Sequence, residues 1–276
     1  MESAVLDGIT LEYEVRGTGD PVVFIHGAFI ADSFRPLFTE PGLAGRYRLI
    51  AYHRRGYGLS TRTPGPTTIA RQAADCLGLM SKLGIGQAHV VGHSLGGAVA
   101  LQLALDAPDA VATLGVFEPA LFVGPSAESY RASLLEMARH YREGAAGVAT
   151  VEQAIQARWP GYSRAALERV LPGAVGQAVA DADAVFKLDI GLVDWSFGEG
   201  EARRIKQPVL VVLGGGSPAL HPRFGETYRL LLEWLPKAEG FVLPGATHFL
   251  HLEDPHHRQA LAGALAAFFA RHPLSA

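Results

Sequence analysis

The sequence predicts an α/β fold, a mostly parallel sheet wound by helices, with a helical cap inserted between two of its strands. Two observations carry this reading. Short, continuously apolar β-branched runs, such as Val22-Val23-Phe24-Ile25, alternate with longer stretches of helical periodicity. That is the order of buried strands and crossover helices in a parallel sheet. The alternation stops over residues 120–206 and resumes at Pro208. The chain therefore divides into a core of residues 1–119 and 207–276 and a cap of residues 120–206. A cap at that point lies over the carboxyl ends of the strands, where open α/β sheets bind ligands.

Each element has its own signal. Ile9, Leu11, Tyr13 and Val15 alternate with polar partners and mark a half-buried antiparallel strand near a sheet edge. Val22–Ile25 reads as a central strand running into His26-Gly27-Ala28-Phe29. Phe34, Leu37 and Phe38 give residues 31–43 a loose helical period. Tyr47–Tyr52 is the next strand and leads into a glycine-rich loop from His53 to Ser60. Ile69, Ala73, Cys76, Leu77, Met80 and Leu83 mark one face of a helix that Gly84 and Gly86 stop. His89–Val91 and Val111–Phe117 are further strands, separated by an apolar helix over 98–105. The inserted block reads as helices over Tyr130–Tyr141, Val151–Arg158 and Arg164–Leu171. Pro208–Leu213 and Phe241–Leu243 are the last strands, and Pro255–Arg271 the closing helix.

Composition narrows the function classes. With 276 residues, a net charge of −3 and no basic run, the chain offers neither nucleic acid nor an anionic membrane a surface. Cys76 is the single cysteine, so no intrachain disulfide forms, and its place on an apolar helix face reads as a buried thiol. Met1-Glu2-Ser3-Ala4 lacks the basic and apolar regions of a signal peptide, and the apolar stretch 260–270 is too short to span a bilayer. A cytoplasmic protein is the expectation.

The chemistry centres on Gly92-His93-Ser94-Leu95-Gly96-Gly97, where a buried strand breaks and a helix begins. A serine on so tight a turn needs glycines around it, and the helix that follows directs unpaired N–H groups at its oxygen. A serine hydroxyl reacts once a general base takes its proton, and histidine suits that task near neutral pH. Of 11 histidines, His248 lies just beyond the last strand, at the same sheet end as Ser94. Oxyanion donors are expected from the backbone of Leu95 and of Ala28, with Phe29 as the alternative to Ala28. His26 is expected to brace that loop. His251, His256 and His257 crowd near His248, yet no completing ligand set stands out, so neither a metal nor a cofactor is expected.

Four segments together, His26-Gly27-Ala28, Arg55-Gly56-Tyr57-Gly58-Leu59-Ser60, Gly92–Gly97 and Gly245-Ala246-Thr247-His248, resemble the α/β-hydrolase fold family and span nearly the whole chain in that family's order. The resemblance implies an eight-stranded sheet, a lid after the sixth strand and a serine–histidine–acid triad. Two departures are visible. His53 replaces an aspartate usual before the Arg-Arg-Gly loop, where a packing role is expected. The usual acid position after the seventh strand holds Ser217, within Gly214-Gly215-Gly216-Ser217-Pro218. Some members carry the acid after the sixth strand, and Glu118 stands there, in the chain order serine, acid, histidine. Glu226, Asp189 and Asp194 are the next carboxylates in line.

The expected activity is cleavage of a small-molecule ester or lactone, apolar or aromatic, through an acyl-enzyme. Phe29, with Phe122, Trp159 and Trp195 of the aromatic-rich cap, is expected to contact substrate. The cap's charges balance, so no charged substrate is expected. C–C bond hydrolysis, a cofactor-free lyase or dioxygenase reaction on the same triad, and a non-catalytic ligand-binding role are the alternatives.

Overall fold

The computed structural model describes residues 1–144 and 147–274. Eight strands form one sheet: β1 (Glu2–Leu6), β2 (Ile9–Arg16), β3 (Asp20–Ile25), β4 (Tyr47–Tyr52), β5 (Ala88–His93), β6 (Val111–Phe117), β7 (Val209–Gly214) and β8 (Ala238–Leu243). Their spatial order is β1-β2-β4-β3-β5-β6-β7-β8. β1 and β2 are antiparallel to their neighbours, and β4 to β8 pair in parallel, with β3 between β4 and β5. β1 had no expectation in the sequence. It is a five-residue strand exposed along most of its length, so it lacks the apolar run that marks its neighbours.

The period of two sorts the side chains of the central strands onto two faces. Val23, Ile25, Val90, Leu114 and Val116 pack against helices α1 (Ile69–Lys82) and α2 (Leu95–Asp106). Val22, Phe24, Val91 and Phe117 pack on the opposite face, against Phe34, Leu37, Leu265 and Phe269. Phe34 and Leu37 belong to residues 31–43, which hold a short 3-10 turn over Arg35–Thr39 rather than the expected helix. Pro36 at the start of the turn and Pro41-Gly42 just beyond it prevent a longer ladder.

Between β6 and β7 the chain forms α3 (Ala127–Arg142), α4 (Val148–Gln156), α5 (Arg164–Val170), α6 (Ala174–Ala180), irregular turns over Ala184–Asp194, and α7 (Glu199–Arg204). Val151, Ile155, Leu167, Val175 and Phe186 from this stretch share one cluster with Phe29, Tyr57 and Phe249. Those three residues belong to loops at the carboxyl end of the sheet, so the helices lie over that end. A four-residue helix α8 (Ser217–Leu220), α9 (Arg223–Trp234) and α10 (Pro255–Arg271) complete the chain. Asp254 caps α10 by accepting from the His256 N–H, with Pro255 at the first helical position. Cys76 is buried in α1. No helix of the described residues is long and apolar enough to cross a membrane.

Candidate active site

β5 ends at His93 and α2 begins at Leu95, leaving Ser94 alone in the turn at φ 54°, ψ −119°. Only a packed surround keeps a non-glycine residue there. Ser94 N–H donates to the Phe117 carbonyl at 2.9 Å, and the Ser94 carbonyl accepts from Ala120 at 2.9 Å. Two glycines make the turn possible. A Cβ on Gly92 would lie 2.2 Å from the Gly96 carbonyl oxygen, and one on Gly96 would lie 2.0 Å from that of Ile25. Both distances are inside van der Waals contact with backbone, which cannot yield.

His248 hangs from the loop after β8. His93 Nε2 donates to its carbonyl at 2.8 Å, and Glu253 accepts from the neighbouring N–H groups of Thr247 and Phe249 at 2.7 and 3.0 Å. The loop thus presents the ring with Nε2 3.1 Å from Ser94 Oγ. On the other side, Nδ1 stands 2.7 Å from Oε2 of Glu118. Glu118 follows β6 directly and takes φ 44°, a second non-glycine residue in the left-handed region. Its remaining oxygen, Oε1, accepts from Gly214 N–H at 2.8 Å. Serine, imidazole and carboxylate therefore form one continuous hydrogen-bonded line.

Burial dominates the titration of this line. Removal from water pushes Glu118 up to about 7, while Ser217, the Gly214 N–H and Arg223 pull it down. Burial likewise holds His248 well below its ordinary value, and Arg223 and Arg158 add to the effect. A neutral imidazole carrying its proton on Nδ1 leaves Nε2 free to accept from Ser94.

Ala28, Phe29 and Leu95 line a cleft with Ser94, of about 520 Å³ counted to its open mouth. Leu95 opens a helix, so its N–H has no intrahelical partner. The loop bearing Ala28 is fixed from behind. His26 Nδ1 donates to the Gly27 carbonyl at 2.7 Å, while Nε2 accepts from Arg54 N–H at 3.0 Å. His53 forms a separate brace, 3.1 Å from Glu12 and 3.0 Å from Asp32. Its environment is a packing one, as its place in the loop predicts.

The residues expected to contact substrate fall in different places. Phe29 reaches the cleft, where Tyr130 and Phe186 are the further aromatic walls. Trp159 instead packs on Tyr162 and Phe249 with ring centroids 5.7 and 6.0 Å apart. Phe122 and Trp195 line a different cleft, and Trp195 Nε1 donates to Gln102 at 2.7 Å. Aromatic residues in helices that must also pack on each other do not announce which face meets ligand. Of the reserve carboxylates, Asp189 is held by Arg54 and Tyr57, Glu226 by Ser126, and Asp194 lines the cleft of Phe122. Among the described residues, no three His, Cys, Asp or Glu side chains converge to hold a metal ion. His93, Gly214 and Arg158 were not singled out in the sequence. An arginine in an insert of balanced charge carries no signal until its neighbours are known.

Comparison with known proteins agrees with this architecture. Over 249 residues the chain is 30% identical to the dihydrolipoyllysine-residue acetyltransferase component of an acetoin cleaving system from Pseudomonas putida, covering 87% of this chain and 62% of that protein. The corresponding protein of Cupriavidus necator is 42% identical over 120 residues, 43% of this chain and 32% of its own length. The chain thus spans less than two thirds of either relative. Among solved structures, a thermophilic esterase from Thermogutta terrifontis superposes with a TM-score of 0.75 at 25% identity, over 96% of this chain and 95% of that one. An enol-lactonase from Burkholderia xenovorans shares the fold with a TM-score of 0.74 at 24% identity, over 98% and 100% of the two chains. The sequence pattern of one family, described as the alpha/beta hydrolase fold, matches residues 20–255. Strand order, elbow and sequence match coincide, and the chain belongs to the α/β-hydrolase fold family.

Proposed function

We propose that the protein is a serine hydrolase cleaving a carboxylic ester or lactone of a small molecule through an acyl-enzyme. The observation that carries this reading is the line from Ser94 Oγ to His248 Nε2 at 3.1 Å and from His248 Nδ1 to Glu118 at 2.7 Å. Ser94 Oγ attacks the carbonyl carbon, and its proton passes to His248 Nε2. The carbonyl oxygen becomes an oxyanion held by the N–H groups of Leu95 and Ala28. Glu118 stabilises the imidazolium and keeps the ring in register. As the tetrahedral adduct collapses, the C–O bond to the alcohol breaks and His248 returns the proton to the departing oxygen. Water then enters, gives a proton to His248 and attacks the acyl carbon, and Ser94 leaves with that proton. One water is consumed, and one acid and one alcohol are released (a hydroxy acid from a lactone).

The helical segment 120–206 acts in this reading as the cap that excludes bulk water, since Tyr130, Met137 and Phe186 wall the cleft above Ser94. An esterase among the structural neighbours, at 25% identity, is consistent with ester chemistry. The test is a panel of 4-nitrophenyl esters of increasing chain length, with aromatic lactones, assayed on the wild type and on Ser94→Ala. Turnover of at least one class is expected in the wild type, falling by at least about 10³ in the variant while far-UV circular dichroism is unchanged. A variant retaining a tenth of the rate would remove the serine from the mechanism.

A further inference from the structure

Arg54, Arg55 and Arg223 are buried and Arg158 is half-buried on the Ser94 cleft, and these four divide into two kinds. Arg54 forms a fork with Asp189 at 2.8 and 2.9 Å, and Arg55 forms one with Asp75 at 2.6 Å on both arms. Arg158 and Arg223 form no such fork among the described residues, although Glu118 feels the charge of Arg223, which favours its carboxylate form. The Arg158 guanidinium makes one hydrogen bond, from Nη1 to the Ala154 carbonyl at 2.7 Å, and among the described residues no carboxylate pairs with it. Arg223 is 3% exposed, and its Nη1 has no partner. It lies between the rings of Tyr130 and Phe224, 3.9 Å from each centroid. Burying a guanidinium without an anion is costly, which is why buried arginines are ordinarily paired.

Arg158 faces the place where substrate would bind, and Arg223 lines the cleft that adjoins it. Arg158 lines the cleft of Ser94, and its own carbonyl accepts from His248 N–H at 3.2 Å. As a residue Arg158 is half-buried, whereas Arg54, Arg55 and Arg223 are buried. Tyr130, Met137 and Arg158 also line an adjoining cleft that includes Arg223, so Arg158 stands where the two meet. Asp189, a carboxylate on the wall of the Ser94 cleft, is occupied by Arg54 and Tyr57.

We propose that Arg158 is a specificity residue that binds a carboxylate carried by the substrate, so that the hydrolysed ester or lactone is itself an anion. This rests on the serine hydrolase reading for the bond broken, but not for the group bound. A guanidinium offers two parallel N–H donors to a carboxylate, and Arg223 adds a second positive charge behind it. The balanced charge of residues 120–206 conceals this, because a sum over the segment does not separate arginines paired locally from one that lines a cleft. Arg139 pairs with Glu143, Arg164 with Glu152 and Arg203 with Glu199. Arg158, by contrast, has no carboxylate partner among the described residues and lines the cleft. An anion there also removes a penalty on the base, since Arg223 and Arg158 both hold His248 low.

Two matched ester pairs test this, with the carboxylate on the acyl side in one and the alcohol side in the other. They are phenyl hydrogen glutarate against its methyl diester, and 4-acetoxybenzoate against its methyl ester. At least one anion is expected to exceed its neutral partner in kcat/KM by about ten-fold or more, as a charge-assisted contact provides. The same ratio should collapse toward one in Arg158→Gln and be partly kept in Arg158→Lys. Because the ratio is read within one preparation, a loss of folded protein cancels. Equal ratios in wild type and Arg158→Gln would overturn the proposal while leaving the hydrolase reading intact. The second arm needs no turnover: calorimetric binding of glutarate and of glutaramide to Ser94→Ala. Glutarate bound at least about ten-fold more tightly, with the preference lost when Arg158→Gln is added, supports carboxylate recognition even if no ester is cleaved. Equal binding of the two, or a preference that survives Arg158→Gln, contradicts it. If Arg158→Gln does not fold, glutarate against glutaramide on Ser94→Ala alone decides, and no preference refutes the proposal.

Discussion

Glu118 meets His248 from the end of β6, its Oε2 2.7 Å from Nδ1, across 130 residues of chain. The neighbouring strand β7 ends beside it, in register at Phe117 and Val212, and hands Gly214 N–H to the second carboxylate oxygen at 2.8 Å. Either strand end can therefore deliver an acid to one imidazole nitrogen. In this chain Ser217, fully buried at the start of α8, occupies the second of those positions and favours the carboxylate form of Glu118.

Glu118→Gln should be folded and nearly inactive. An amide in place of a triad carboxylate can hold the wrong histidine tautomer, costing about 10⁴ in kcat. Ser217→Asp in that background should restore about ten-fold or more, because the new carboxylate approaches the same ring. Steady-state hydrolysis with melting temperatures checks both. Near-wild-type kcat in Glu118→Gln would assign the acid elsewhere.

The pH dependence follows from which group titrates last. With Glu118 raised to about 7 by burial, the proton that spoils the line on acidification goes to the Glu118–His248 pair near that value. kcat/KM should therefore rise through about pH 7 and level off above it. Ser217→Ala withdraws a group that favours the carboxylate, so the rise should move to higher pH with the plateau within about three-fold of wild type. A profile flat from pH 5 to 8 would contradict the assignment.

His53 should contribute to stability without contributing to turnover. Burial disfavours its charge, but the hydrogen bonds and negative charges of Asp32 and Glu12 outweigh that and raise its pKa above 6.5. A raised histidine stabilises the fold fully below its unfolded value and loses that contribution as pH rises through the folded one. The melting-temperature gap between wild type and His53→Gln should be largest near pH 6 and narrow toward pH 9, with kcat changed by less than about three-fold. A gap that widens with pH would reverse the assigned charge.

Much of this architecture is written locally. Val22–Ile25 and Val90–Val91 announce central strands because both faces of the sheet are covered and every side chain must be apolar. Ser94 is legible through Gly92 and Gly96, where a Cβ would strike the backbone of Gly96 and of Ile25. Other features depend on neighbours distant in sequence. β1 is exposed and pairs only with β2, so Glu2–Leu6 carries no apolar run. Trp159 and Phe186 are alike in a sequence, yet one packs on Phe249 and the other walls the cleft. Arg158 and Arg164 are alike in a sequence, yet Arg164 pairs with Glu152 on the surface while Arg158 lines the cleft, a difference that only tertiary structure supplies.

If Ser94 is a nucleophile activated by His248, covalent labelling will find it. Incubation with a fluorophosphonate forms a Ser94 Oγ–phosphorus bond with loss of fluoride, and intact-protein mass spectrometry counts the adducts. One adduct per chain is expected, mapped to Ser94 by peptide sequencing, absent in Ser94→Ala and formed far more slowly in Glu118→Gln. A folded wild-type protein that takes up no label, or takes it equally in Ser94→Ala, would show that Ser94 is not the nucleophile.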